Sequence, residues 1–98
     1  MAFYMLEDLT LDKLNLCFKK AVELNHKYMG VIIKAGGIES EMIINSMINY
    51  PQKQAYYNLV YDNTLDHKHA EGIRITGVVS GSSFDELEDA FRVINSIK

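Results

Sequence analysis

The sequence predicts an α+β domain: a three- or four-stranded sheet with three helices, in the order (β)-α-β-β-α-β-α. Three features point to it. Residues 11–26 and 84–97 repeat apolar side chains at helical spacing behind N-terminal capping signals. Residues 28–34 and 72–79 are short runs rich in β-branched side chains. Ala35-Gly36-Gly37 follows the first of these runs, and a further apolar stretch, 38–45, lies beyond it, as in a hairpin.

Along the chain, residues 2–7 suit a short edge strand or an ordered N-terminal arm. Thr10 fits a helix N-cap, with Asp12 placed where the helix dipole favours an acid. Leu11, Leu14, Phe18, Ala21 and Val22 then share one side, with Cys17 beside them, while Lys13, Lys19, Lys20 and Glu23 fall largely opposite. Residues 45–50 read as a loop. Pro51, the single proline, stands where a helix accepts it, at the first position. A second reading makes residues 39–48 helical and continuous with the helix that begins near Pro51. Residues 67–71 form a polar connection. In 72–79 Ile73, Ile75 and Val79 alternate with Arg74, Thr76 and Val78, and Gly77 marks a bulge or a close backbone approach. Ser83 and Glu86 have capping-box spacing, and Phe84, Leu87, Ala90, Phe91, Ile94 and Ile97 lie along one side of the last helix.

The 98 residues suffice for one domain, 1–98, that buries a core without disulfides or metals. The single cysteine excludes an internal disulfide and fits a reducing compartment. No apolar run reaches the roughly 18 residues of a membrane span. The opening MAFYMLEDLT has no basic segment followed by an apolar one, so a cytoplasmic location is expected. The net charge of −3 is shared between the halves, and neither is basic. Nucleic-acid binding would therefore lack its usual source of phosphate neutralisation.

The most informative stretch is 51–65, PQKQAYYNLVYDNTL. As a helix it would be apolar over roughly 240° of arc, through Ala55, Tyr56, Tyr57, Leu59, Val60 and Tyr61. Gln54, Asn58 and Asp62 mark the one wet stripe. A helix packing on a single core needs an apolar stripe of only about 100°. The surplus is tyrosine, which tolerates both burial and water and is enriched at interfaces. Tyr50, Tyr56, Tyr57 and Tyr61 with Lys53, and Arg74 from the following strand, could stack on and charge-pair a nucleotide, or anchor a protein contact. Completion of the core is the third reading of the same residues.

Other chemistry is sparse. His67 and His69, with Asp62, Asp66 and Glu71 nearby, are the one cluster resembling a metal site, and a solvated loop explains them as well. Cys17 falls on the packed side of its helix. Glu39 and Glu41 would share one strand face, as an acid pair or simply in solvent. Gly81-Ser82-Ser83 could meet an anion at a helix N-terminus, but Asp85 and Glu86 oppose it. No cofactor motif is present.

The run Glu41–Asn45, the helix with Tyr56, Tyr57 and Tyr61, and the segments GIRITG from Gly72 and GSSF from Gly81 resemble small accessory proteins of phages of low-GC Gram-positive bacteria. That resemblance covers about the last two-thirds of the chain. It implies a non-catalytic protein acting against host defence in the host cytoplasm: a homo-oligomeric sponge for a cyclic nucleotide signal, or an inhibitor docked on a host enzyme. A small metal-dependent enzyme centred on His67 and His69 is the remaining alternative.

Overall fold

In the computed structural model, which describes residues 2–36 and 40–97 (the last by its backbone), four antiparallel strands form one sheet in the order β1-β4-β2-β3. The strands are β1 (Phe3–Met5), β2 (Tyr28–Ala35), β3 (Glu41–Ser46) and β4 (Ile73–Gly81). The helices are α1 (Leu11–Glu23), α2 (Tyr50–Val60) and α3 (Phe84–Ile97), which gives the predicted order with the first strand present.

The sheet is buried on both faces. On one, Met29, Val31, Ile75 and Val78 pack with Leu14, Cys17 and Phe18 of α1 and with Tyr57 of α2. On the other, Ile32 and Val79 meet Leu87 and Ile94 of α3. This explains why β2 reads as a continuous apolar run, and the expected alternation of β4 breaks after Gly77: Val78, not Val79, joins Ile73 and Ile75 in the first core, and Val79 enters the second.

The local signals act as their chemistry requires. Thr10 accepts from the Lys13 amide at 3.3 Å, and Ser83 from the Glu86 amide at 3.2 Å. Gly77 fulfils both of its expected roles. The β2–β4 register slips beside it, Ile32 opposing Gly77 while Ile33 opposes Ile75, so Thr76 has no partner on β2. A Cβ on Gly77 would lie 2.8 Å from Leu6 Cδ2 and 3.2 Å from Ile32 Cδ1.

Three boundaries differ from expectation, all around α2. Residues 41–45 are strand, as the hairpin reading expects and the helical reading of 39–48 does not, and the strand continues to Ser46, where a loop is expected: β3 pairs with β2 from Tyr28↔Ser46 to Ile33↔Glu41. A 3-10 turn, Met47–Asn49, replaces the rest of the expected loop, its Ile48 amide held by Ser46 Oγ at 3.3 Å. Pro51 stands second in α2 rather than first, still within the turn whose amides have no helical acceptor. The helix stops at Val60, five residues before Leu65. Asp62 Oδ1 accepts from the amides of Thr64 and Asp66, both at 3.0 Å, and from the Thr64 hydroxyl at 2.9 Å. That side-chain turn competes with helix continuation. Tyr61 then bridges to His67, and Leu65, at φ 66°, is driven into the core. Gly36, at φ 59°, begins the β2–β3 connection; the expected second glycine, Gly37, and Ile38 and Glu39 lie outside the described residues.

Candidate functional site

α2 meets the rest of the molecule in an inverted fashion. Its polar stripe faces another helix: Gln54 Nε2 and Asn58 Nδ2 donate to Asn15 Oδ1 of α1 at 2.9 and 2.8 Å, and Asn15 Nδ2 donates back to Asn58 Oδ1 at 3.0 Å. Its apolar surplus faces outward. Leu59 is 72% and Tyr56 54% exposed, and Ala55, one turn before Leu59, is exposed as well. Tyr57 and Tyr61 turn down to the sheet and are buried.

Between α2 and β3 runs a groove of about 370 Å³. Lys53, Tyr56, Tyr57 and Tyr61 line it from the helix side, and Ile43 and Asn45 from the strand. The rings form a continuous series, with centroids 5.3 Å apart for Tyr56–Tyr57 and 5.9 Å for Tyr57–Tyr61; His67 continues it edge-on at 5.2 Å from Tyr61. At the groove floor the Asn45 amide nitrogen donates to the Tyr57 hydroxyl at 3.1 Å and to the carbonyls of Met29 and Ile43, each at 3.3 Å.

Two phenols of this groove, Tyr57 and Tyr61, are held neutral. Burial pushes Tyr57 above the ordinary tyrosine range, against the opposing pull of its hydrogen bond from Asn45. Burial, reinforced by the neighbouring phenols of Tyr56 and Tyr57, pushes Tyr61 up to about 12. At neutral pH Tyr57 and Tyr61 therefore present uncharged rings and hydroxyls, and Lys53 is the one basic residue of the lining.

The structure brings together four of the six residues singled out from sequence: Lys53, Tyr56, Tyr57 and Tyr61. Tyr50 lines a different cleft, of about 520 Å³, with His26, Tyr28, Met47 and Ile48. Arg74 does not line the groove. Asp66 opposes it across a β-bridge and pairs with its Nε at 3.6 Å. Asn45 was not distinguishable from sequence except as a lone amide in a β-branched run, and nothing in the sequence marked Ile33, Ile43 or Gln52, which complete the lining.

The remaining clusters have structural explanations. His67 Nδ1 accepts from the amides of His69 and Ala70, both at 3.0 Å, and so organises its own loop. Among the described residues no three or more His, Cys, Asp or Glu side chains converge as metal ligands. Cys17 is buried, and burial pushes its thiol up to about 11, which leaves little thiolate to react. Glu41 is exposed on β3, while its expected companion Glu39 lies outside the described residues. Ser83 caps α3, and Glu86 stands over Gly81, where an anion would have to approach. A further pair escaped sequence reading: His26 Nδ1 lies 2.7 Å from Ser80 Oγ. Ser80 is 0% exposed, so this contact fastens the end of α1 to β4 and presents no nucleophile to substrate.

Fold and groove together define a three-layer domain, helices on both faces of an antiparallel sheet, with a tyrosine-lined groove at one sheet edge. No protein-family model matches the chain, and neither a curated protein nor a solved structure is significantly similar to it. Among the described residues no helix is long and apolar enough to cross a membrane.

Proposed function

We propose that this protein is a non-catalytic, homo-oligomeric binding protein that sequesters a cyclic nucleotide signal, in the manner of a phage anti-defence sponge. The observation that carries this reading is the inverted packing of α2, which leaves Tyr56 and Leu59 in solvent beside a groove already walled by aromatic rings. Such exposed apolar surface rimming a concave site marks binding surfaces in soluble proteins. Tyr56 offers a partly exposed face on which a base can stack, and Lys53 offers a counter-charge to phosphate. Gln52 supplies an amide donor and acceptor for base edges. The volume of about 370 Å³ is near the lower end of small-molecule sites, roughly 300–1,000 Å³, and suits a nucleotide-sized portion of a ligand.

Native mass spectrometry, with the protein alone and against cyclic and linear nucleotides, tests the proposal. The expected result is a discrete oligomer that gains whole-number nucleotide masses. Tyr56→Ala combined with Lys53→Ala should weaken that binding by about tenfold or more, as loss of an aromatic anchor and a counter-charge does. A monomer gaining no nucleotide refutes the sponge. Tyr57 and Tyr61 are unsuitable for this test because both also hold the core.

One observation favours docking on a host enzyme instead. Leu59 lies outside the groove lining, so a small ligand filling the groove would leave it wet, whereas a protein surface would cover it. Stoichiometric recovery of a host enzyme together with an empty groove would decide for the inhibitor.

A further inference from the structure

Among the described residues the outer edge of β3 carries a single protecting charge, Glu41 at its first position. The strand is last in the sheet order, so the outward row of its backbone donors and acceptors has no partner strand among the described residues. Soluble proteins blunt such edges with lysine, proline, bulges or very short strands. β1, the other edge, has three residues, and β3 has six. The sequence EMIINS contains no lysine or proline, and its register with β2 runs without a slip. Above this edge lies α2, with α1 bonded along one flank and the groove, Tyr56 and Ile43 on the other. A free strand edge and an apolar helix flank thus lie on the same side of the molecule.

We infer that this side is covered by a second copy of the chain, its β3 pairing antiparallel with this β3 about a two-fold axis through Ile43. The inference rests on the homo-oligomeric reading above and names the surface that builds the oligomer. A perpendicular two-fold keeps the sheet faces in common, so residues of like parity must oppose one another. Centred on Ile43, the register sets Ile43 against Ile43, Met42 against Ile44 and Glu41 against Asn45. The strand's single charge meets an amide, no like charges face each other, and apolar residues meet apolar ones. Met42 and Ile44 already pack on the α3 side, and Asn45 on the α2 side, in each copy. A foreign strand could satisfy the backbone alone. A second copy also brings a second exposed Tyr56 and Ile43 to meet the first across the seam. Two four-stranded sheets become one of eight. The two grooves then open toward a shared axis, with one Lys53 on each side.

Disulfide trapping without ligand tests the seam. Ile43 is 47% exposed, so Ile43→Cys is expected to fold normally, and far-UV circular dichroism checks that it does. Directly opposed residues lie within disulfide reach, and mild oxidation should convert this variant to a covalent dimer. Glu41→Cys should remain uncross-linked, because its two copies lie four residues apart along the strands, about 13 Å and beyond reach. Cys17 is buried and stays out of the reaction. Sedimentation of Ile43→Lys supplies a readout free of cross-linking: two opposed lysines should raise the dimer dissociation constant by about tenfold or more. A wild-type dimer that neither cross-links at 43 nor responds to Ile43→Lys overturns the β3 seam and leaves the homo-oligomer standing on another surface. A wild-type monomer at all concentrations overturns both. Cross-linking at 43 together with a wild-type dimer that binds no nucleotide retains the seam and removes the sponge.

Discussion

Tyr57 belongs to the core and to the groove at once, and its two roles separate by substitution. Its ring sits between Phe18, at 6.2 Å between centroids, and Tyr61, at 5.9 Å, and the residue is 3% exposed. Tyr57→Ala removes a buried aromatic ring, for which about 3–5 kcal/mol is the usual loss. That is a large part of the roughly 5–15 kcal/mol that holds a small domain together. Tyr57→Phe keeps the ring and removes the hydroxyl that accepts from Asn45. The Asn45 amide keeps its bonds to the Met29 and Ile43 carbonyls, so no donor is stranded. The loss should be that of one ordinary hydrogen bond, about 1 kcal/mol, or roughly 4–8 °C in melting temperature for a domain of this size. Urea titration followed by far-UV circular dichroism measures both variants. Combining Tyr57→Phe with Asn45→Ala should recover part of the summed losses, because the two share one contact. A loss of less than about 1 kcal/mol in Tyr57→Ala, or a Tyr57→Phe as damaging as Tyr57→Ala, would refute the double role of this residue.

Further tests address other contacts. Asn58→Leu should destabilise by about 1–3 kcal/mol, since it removes the acceptor of the Asn15 side-chain amide and one of the two donors to its oxygen; a more stable variant would disprove the role of the α1–α2 amide contact. Tyr61 titrates near 12 when folded against about 10 when unfolded. The raised value means that its contribution is complete below pH 10 and is lost as pH rises through 12, so alkaline unfolding should set in across that window and move to higher pH in Tyr61→Phe. Cys17 should react with a thiol reagent only at the rate of unfolding, and fast labelling of the native protein would contradict its burial.

Much of the fold was legible because its signals are local. Thr10 and Ser83 are caps whose partners lie three residues away, and the periodicities of α1 and α3 need only one core each to satisfy them. α2 was legible as an anomaly but not in its orientation. Counting sides by polarity puts Gln54 and Asn58 in water, yet both meet Asn15, 39 and 43 residues distant in sequence. Amide side chains are ambiguous in this way, since they serve equally toward solvent and toward one another. The end of α2 escaped for a related reason: the apolar spacing of Tyr57, Tyr61 and Leu65 continues a helical pattern, while the turn that halts it depends on one carboxylate, Asp62. The groove was half legible. Its aromatic wall lies within a single segment, but its floor comes from β3, whose position beside α2 is set by pairing with β2. Arg74 was attractive by charge and not by place, because the sheet order puts β4 two strands from β3.

The sheet's asymmetry has a consequence for how the protein opens. β2 and β4 are flanked by strands on either side and covered on both faces, so their amides should exchange with solvent only in near-global unfolding. Within a single copy of the chain β3 has one neighbour, and α2 joins α1 partly through side-chain amides that water can replace. These two elements form the part of the chain able to open while the centre stays closed. The groove lies between them, so an occupant joins two pieces that otherwise open at low energy. Hydrogen exchange would register it as protection gained in β3 and α2, with β4 unchanged, and the size of that gain would report how tightly the occupant is held.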